Sequence, residues 1–151
     1  MSIDRALIGR VDAPRVVEVE RQALKLFALA IGETDPVYFD ETAAKRAGHR
    51  DLPVPATYFF TLNVDPADPL RRFTNLGIDL NTLLHGEQSF TYHNLAYARD
   101  ALTLTSKVVD IFDKKDGALT FVVTETVVVR LDGQAICDVR EVLVARNGAL
   151  Q

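Results

Sequence analysis

Apolar residues follow a helical period in the first half of the chain and a strand period in the second. In the first half they recur at the i, i+3, i+4 and i+7 spacing of an amphipathic helix. These residues are Leu24, Phe27, Ala28 and Ile31. A short alternating run at 15–20 precedes them and predicts a strand, and Gly32 follows as a natural helix stop.

The acidic turn at 32–40, GETDPVYFD, lies between this helix and a second short helix. Asp40 is in position to cap the second helix, and Asp35 opens an Asp-Pro turn. Glu33 and Tyr38 have no comparable local role. Any functional interpretation of the turn therefore rests on these two residues.

The run at 52–64, LPVPATYFFTLNV, is apolar on almost every side after two prolines. This pattern predicts a helix that is buried all round. A polar connection with prolines follows at 65–81. Its Arg71 and Arg72 could meet a cofactor phosphate, although arginines solvated in a loop are commoner.

From residue 83 onward the apolar period is two, which predicts β-strands. The strand-type runs occupy 89–93, 101–112, 119–130 and 135–146. Asp-Gly pairs separate the last three runs and predict hairpins, so these runs should form an antiparallel meander.

The run at 119–130 has two distinct faces. One face is apolar apart from Glu125 and holds Leu119, Phe121, Val123, Val127 and Val129. The other face holds Thr120, Thr124, Thr126 and Arg130. We expect the apolar face to be the one that is covered.

These elements predict an α+β fold in which an antiparallel sheet wraps around the buried helix at 54–64. The chain shows no repeat or linker, so residues 1–151 are expected to form a single domain. A sheet of this kind leaves long free edges, and such edges are often removed by pairing with a second subunit. We therefore expect a dimer.

Composition excludes several classes of function. The chain has 151 residues, 48% of them hydrophobic, and a net charge of −4 with scattered basic residues, so nucleic acid is not an expected partner. The single Cys137 fits a reducing cytoplasm. Neither a leader nor an apolar stretch of about 18 residues is visible, which predicts a protein that is neither exported nor membrane-spanning.

The histidines and the common sequence motifs do not point to a particular reaction. None of the common nucleotide, hydrolase or zinc motifs is present, and His49, His85 and His93 lack ligand spacing, so no metal site is predicted. His85 stands beside Gly86 at the start of a strand. A structural hydrogen bond is favoured there over catalysis.

The motifs in their order resemble a known family. FALAIGETDPVYFDETAAKRAG, LPVPATYFF, LLHGEQSFTYHNLAYARDALTLTSKVVDI and FVVTETVVVRLDGQAICDVREVLVAR are similar to the N-terminal-type, FAS1-like domain of the MaoC-like dehydratases. The likeness spans roughly 8–146. It implies a hotdog fold and reversible addition of water to a trans-2-enoyl thioester, giving the (R)-3-hydroxyacyl thioester. The substrate would be carried on coenzyme A or acyl carrier protein, with no other cofactor.

The chain departs from the catalytic branch of that family at the residues that matter most. The family turn reads Gly-Asp-x-Asn-Pro-x-His-x-Asp, whereas this turn has Glu33 at the acid position and Tyr38 at the histidine position. A tyrosine with its ordinary pKa near 10 is a poor proton shuttle at neutral pH. The family's His-Gly pair at the central helix is replaced by Ala56-Thr57 after Pro55.

The resemblance implies a degenerate site in which Glu33 and Tyr38 hold the catalytic positions. The implied substrate-binding residues are Asp35, Pro55, Ala56, Thr57, His85 and Gly86. Family members without the histidine often pair with a second hotdog that keeps the Asp and His. The chain would then be a non-catalytic or weakly catalytic subunit that shapes the acyl pocket with a catalytic partner.

Two other functions remain open, so whether the chain is itself an enzyme is undecided. The chain could be an independent enzyme, either a hydratase using Glu33 or a thioesterase that activates water with Glu33 or Asp40. It could also be a module that binds acyl thioesters without turnover. Acyl chain length, carrier, pathway, and homodimer against heterodimer are not decided by the sequence.

Overall fold

An antiparallel sheet of five strands forms the larger part of the fold in the computed structural model, which describes residues 3–147. The strands are β1 (Arg15–Glu18), β2 (Leu83–Tyr92), β3 (Ala101–Lys114), β4 (Leu119–Arg130) and β5 (Ala135–Arg146). Their order is β1-β3-β4-β5-β2. The predicted meander is confirmed for β3 to β5, while β2 pairs with β5 and leaves its other side as a sheet edge.

Short helices connect β1 to β2. They are α1 (Arg21–Ala30), α2 (Glu41–Arg46), α3 (Phe59–Leu62) and α4 (Arg71–Thr74), with 3₁₀ turns at Pro36–Tyr38 and Ala56–Tyr58. A further 3₁₀ turn, Arg5–Leu7, precedes β1. None of the helices among residues 3–147 has the length and apolar character needed to cross a membrane.

Helix α1 buries most of the apolar face that the sequence predicts. Leu24 and Ala28 are fully buried, and the ring of Phe27 meets that of Tyr58 edge-on at 5.1 Å. Gly32 takes the left-handed conformation with φ +76° just after the helix, as expected for a helix stop. The prediction is wrong for Ile31, which lies beyond the last helical residue and is 52% exposed.

The central helix (residues 56–62) combines the 3₁₀ turn Ala56–Tyr58 with α3 and lies against the inner face of the sheet. Tyr58, Phe59 and Leu62 are buried in contact with that face. The prediction of a helix buried on every side is wrong, because Thr57 and Thr61 are exposed. The sheet covers only one side of this helix, so its other side stays open.

Two hydrophobic cores lie on the inner face of the sheet. The first core joins α1 and the central helix to the inner face of β3, β4 and β5. The second core packs Leu76 and Ile78 against Val122 and Leu143. The polar connection predicted at 65–81 therefore has a buried end. It also contains α4, which the sequence pattern did not predict.

The inner face of β4 is the one that the sequence pattern predicts to be uncovered. Val122, Thr126 and Val128 are buried there, whereas Val127 on the outer face is 46% exposed. The prediction that the more apolar face is covered is therefore wrong at Val127, although Val123 on that face is buried. Thr124 and Thr126 on the inner face line a cavity between the two cores. On the outer face, the ring of Phe121 stacks on that of Phe112, with the ring centres 5.1 Å apart.

Candidate functional site

The three acids of the acidic turn accept hydrogen bonds from nearby backbone N–H groups. Glu33 Oε1 accepts from Thr34 N at 2.8 Å and from Asp35 N at 3.0 Å. Asp35 Oδ1 accepts from the backbone N–H of residue 37, and Asp40 Oδ2 accepts from that of residue 43 at the start of α2. The predicted structural roles of Asp35 and Asp40 are confirmed. Glu33 has one oxygen fixed in the turn, and Oε2 has no hydrogen bond among residues 3–147.

Tyr38 ends the 3₁₀ turn Pro36–Tyr38 and lines a cavity of about 350 Å³, the Tyr38 cavity. Burial of the phenol, followed by the negative charges of Glu33 and Asp35, raises the pKa of Tyr38 above its ordinary value. The phenol therefore keeps its proton at neutral pH. It can donate a hydrogen bond but cannot act as a base there.

The start of the central helix forms another wall of the Tyr38 cavity. Ala56 lines the cavity, and its carbonyl accepts a hydrogen bond of 2.8 Å from the hydroxyl of Tyr92. Pro55 is the N-cap residue, and Thr57 is exposed. The N–H groups of Ala56 and Thr57 form no hydrogen bond among residues 3–147, as is usual for the first residues of a helix. The predicted substrate role of this segment stays a prediction.

The remaining walls of the Tyr38 cavity are mostly apolar. They are Val54, Phe59, Tyr92, His93, Asn94, Leu95 and Ala96. His93 also lines the cavity, and its Nε2 pairs with Asp138 Oδ2 at 2.8 Å. Asp138 alternates with the buried Cys137 and Val139, so its carboxylate lies on the outer face of the sheet. The histidine of this cavity therefore comes from the residue after β2 and not from the acidic turn.

His85 and Gly86 lie at a different place from Tyr38. His85 Nε2 is 3.3 Å from the side-chain oxygen of Gln88 and 3.4 Å from Glu141 Oε1. Gly86 sits at a β-bulge, where an added Cβ would come within 2.9 Å of Val144. Neither His85 nor Gly86 lines the Tyr38 cavity. The structure therefore does not bring these two predicted substrate-binding residues together with Glu33 and Tyr38.

Arg72 is not a solvated loop arginine, and the expectation for it is wrong. Both terminal nitrogens of its guanidinium donate to Glu141, at 3.0 Å each, and the Glu141 side chain is only 5% exposed. The sequence carried one signal of this pair. Glu141 interrupts the apolar series on the inner face of β5, where an unpaired charge would be costly.

Cys137 is a free cysteine whose side chain is buried. Burial raises the pKa of the Cys137 thiol to about 11, so it stays protonated and unreactive at neutral pH. Between residues 3 and 147, no cluster of His, Cys, Asp and Glu side chains is arranged to hold a metal ion.

Comparison with known proteins identifies the family of the chain. Residues 6–139 match the family described as "FAS1-like, dehydratase domain region". The chain belongs to this dehydratase-domain family. Relatives called UPF0336 proteins include one from Saccharopolyspora erythraea, 32% identical over 99% of this chain and 95% of its own. Another from Streptomyces griseus is 37% identical over 72% of this chain and 73% of its own.

Solved structures of MaoC-like dehydratases share the fold. The HadBC (3R-hydroxyacyl-ACP dehydratase) complex from Mycobacterium tuberculosis has a chain with a TM-score of 0.79, at 22% identity over 92% of this chain and 97% of that one. The ChsH1–ChsH2 complex from the same organism has a TM-score of 0.72, at 19% identity over 93% and 86%. These likenesses confirm the predicted hotdog fold and the family resemblance.

Proposed function

We propose that the chain is a non-catalytic or weakly catalytic hotdog subunit of an (R)-specific enoyl-thioester hydratase or 3-hydroxyacyl-thioester dehydratase. The observation that carries this proposal is the acidic turn, where Glu33 is bonded to its own backbone and Tyr38 keeps its proton. A catalytic hotdog partner would then hold the Asp and His that move the proton.

The chemistry divides between the two subunits. In hydration, water gives its hydroxyl to the β carbon of the enoyl thioester while a proton reaches the α carbon, and the partner's acid and histidine would carry out both transfers. In this chain, the neutral phenol of Tyr38 can only donate a hydrogen bond. Its contribution would be to bind and orient the thioester within the shared pocket.

A surface for such a partner lies beside the Tyr38 cavity. β2 is an edge strand, and the central helix lies next to it, with Phe60 edge-on to His85 at 5.7 Å. Thr57 and Thr61 on this helix are exposed. A second hotdog that paired with the edge of β2 would cover both the edge and this side of the helix.

Co-expression with a MaoC-like protein that retains the Asp and His tests the proposal. We expect the two chains to co-purify and to hydrate crotonyl-CoA, followed by loss of the enoyl-thioester absorbance, while this chain alone does not. Thr61→Arg should break the complex, because it places a charge in the proposed interface. Thr42→Arg, at an exposed position on α2, is the matched control and should leave the complex intact.

Other outcomes would replace the proposal. Release of free thiol from acyl-CoA by the isolated chain would identify a thioesterase. Tight acyl-CoA binding that a catalytic hotdog neither enhances nor needs would identify a binding module.

A further inference from the structure

A second and larger cavity, the polar cavity, lies between the two hydrophobic cores, and polar atoms take a larger share of its lining than of the lining of the Tyr38 cavity. It has a volume of about 460 Å³, is partly open to solvent, and is lined by the inner face of β3 to β5, the segment at 10–15 and the segment at 63–76. This polar cavity meets the end of the central helix at Asn63, whereas the Tyr38 cavity meets its start at Ala56. The two ends are roughly 10 Å apart along a helix of this length.

The floor of the polar cavity carries a chain of neutral hydrogen-bonding groups. The amide nitrogen of Asn63 donates to the Thr126 hydroxyl at 3.0 Å, and that hydroxyl lies 2.8 Å from the Ser106 hydroxyl. Thr124 adds a further hydroxyl to the lining. Hydroxyl and amide groups of this kind can both donate and accept. The floor is therefore suited to a ligand that carries oxygen.

The charges around the polar cavity are largely compensated within the chain. Arg72 is paired with Glu141 at 3.0 Å, Arg71 with Asp65 at 2.6 Å, and Arg10 with Asp12 at 3.4 Å. Arg15 has no acidic partner among residues 3–147 and donates instead to the carbonyl of residue 62 at the end of the central helix. The other charged residues of the lining, Lys107 and Asp68, are exposed and opposite in sign. A neutral ligand fits this arrangement better than an anion or a cation.

We infer that the polar cavity binds the hydroxyl- or keto-bearing part of an acyl chain and disfavours a plain alkyl chain. A plain alkyl chain would strip water from the partly exposed polar groups of Ser106, Thr124 and Asn63 without offering hydrogen bonds in return. A hydroxyl or keto group restores one such bond, which corresponds to roughly tenfold in affinity. The inference rests on the proposed function only in naming an acyl thioester as the molecule that carries these groups.

Amide NMR titration with two matched thioesters provides the test. The probes are octanoyl-CoA and its counterpart with a hydroxyl on the penultimate carbon. We expect the hydroxylated probe to bind about tenfold more tightly and to shift the amides of Ser106 and Thr126. Thr126→Val and Ser106→Ala should each reduce this preference severalfold. Thr120→Val is the matched control, since Thr120 is a buried threonine on the same face of β4 that bonds Asp113 outside the cavity.

Each outcome separates this inference from the proposed function. Shifts at Tyr38 and Ala56 without shifts at Ser106 and Thr126 would overturn the inference and leave the thioester site in place. Shifts only in the polar cavity would support the inference and contradict the thioester site. Equal affinities for the two probes, or a preference that survives both cavity variants, would overturn the inference.

Discussion

The acidic turn and the polar cavity satisfy their polar groups in opposite ways. Each acid of the turn accepts a hydrogen bond from a backbone N–H at most three residues further along the chain. In the polar cavity, Arg72 reaches Glu141 across 69 positions and Asn63 reaches Thr126 across 63. The turn is therefore a locally determined structure, whereas the polar groups of the cavity depend on the whole fold.

This difference bears on function as well as on stability. The family resemblance implies that the acidic turn is the catalytic position, yet Glu33 Oε1 is bonded to the backbone of the turn and the phenol of Tyr38 keeps its proton. The polar cavity holds no family motif, yet it contains a nearly fully buried carboxylate, Glu141, and a row of hydroxyls. The acidic turn contributes Tyr38 to one cavity, whereas the buried ion pair and the row of hydroxyls line a different cavity.

The largest expected effect concerns the ion pair of the polar cavity. Glu141→Leu leaves the Arg72 guanidinium, mostly buried, without its carboxylate, and we expect the free energy of unfolding to fall by about 3 kcal/mol. The double variant Arg72→Met/Glu141→Leu should recover most of this loss, because no unpaired charge remains. Urea denaturation measures both.

An exposed glutamate provides the control for this pair. Glu125→Gln on β4 changes a side chain that is 53% exposed and should shift the free energy of unfolding by no more than about 0.5 kcal/mol. Equal losses of unfolding free energy for Glu141→Leu and for the double variant would show that the unpaired charge of Arg72 does not cause the destabilisation.

The second effect concerns the missing proton shuttle. The double variant Glu33→Asp/Tyr38→His places the family's acid and histidine in the acidic turn, and we expect the isolated chain to gain about 10²-fold in crotonyl-CoA hydration. Glu33→Asp/Phe39→His places the imidazole one residue further on, at a position that does not line the Tyr38 cavity, and should gain nothing. A gain in both variants would mean that the position of Tyr38 is not special.

The smallest effect concerns the cap at the end of the acidic turn. Asp40→Ala removes the bond to the backbone N–H of residue 43 and should lower the free energy of unfolding by about 1 kcal/mol. Asp40→Asn retains an oxygen that can accept this bond and should remain close to the native protein. An equal loss for both variants would assign the effect to the charge of Asp40 instead of to the cap.

Local chemistry explains which features could be predicted from the sequence. The capping roles of Asp35 and Asp40, the helix stop at Gly32 and the strand-type runs all depend on neighbours within a few positions. Such patterns fix secondary structure and turn geometry directly. The family resemblance then supplied the hotdog arrangement of these elements.

The remaining features depend on contacts that no local pattern records. The inner face of β4 carries Thr126 because a polar cavity lies there, so the more apolar face was wrongly predicted to be covered. Arg72 has no partner nearby in the sequence, and its Glu141 lies on another element. The exposed side of the central helix likewise follows from how much of it the sheet covers.

We propose that the acidic turn has lost the proton shuttle that the family resemblance implies at its Tyr38 position. The most direct test is the initial rate of crotonyl-CoA hydration by the purified chain in the absence of any other hotdog protein. We expect a rate no higher than that of the Glu33→Ala and Tyr38→Phe variants. Turnover by the native chain at ordinary enzymatic rates, roughly 1 to 10³ s⁻¹, that Glu33→Ala abolishes would contradict it.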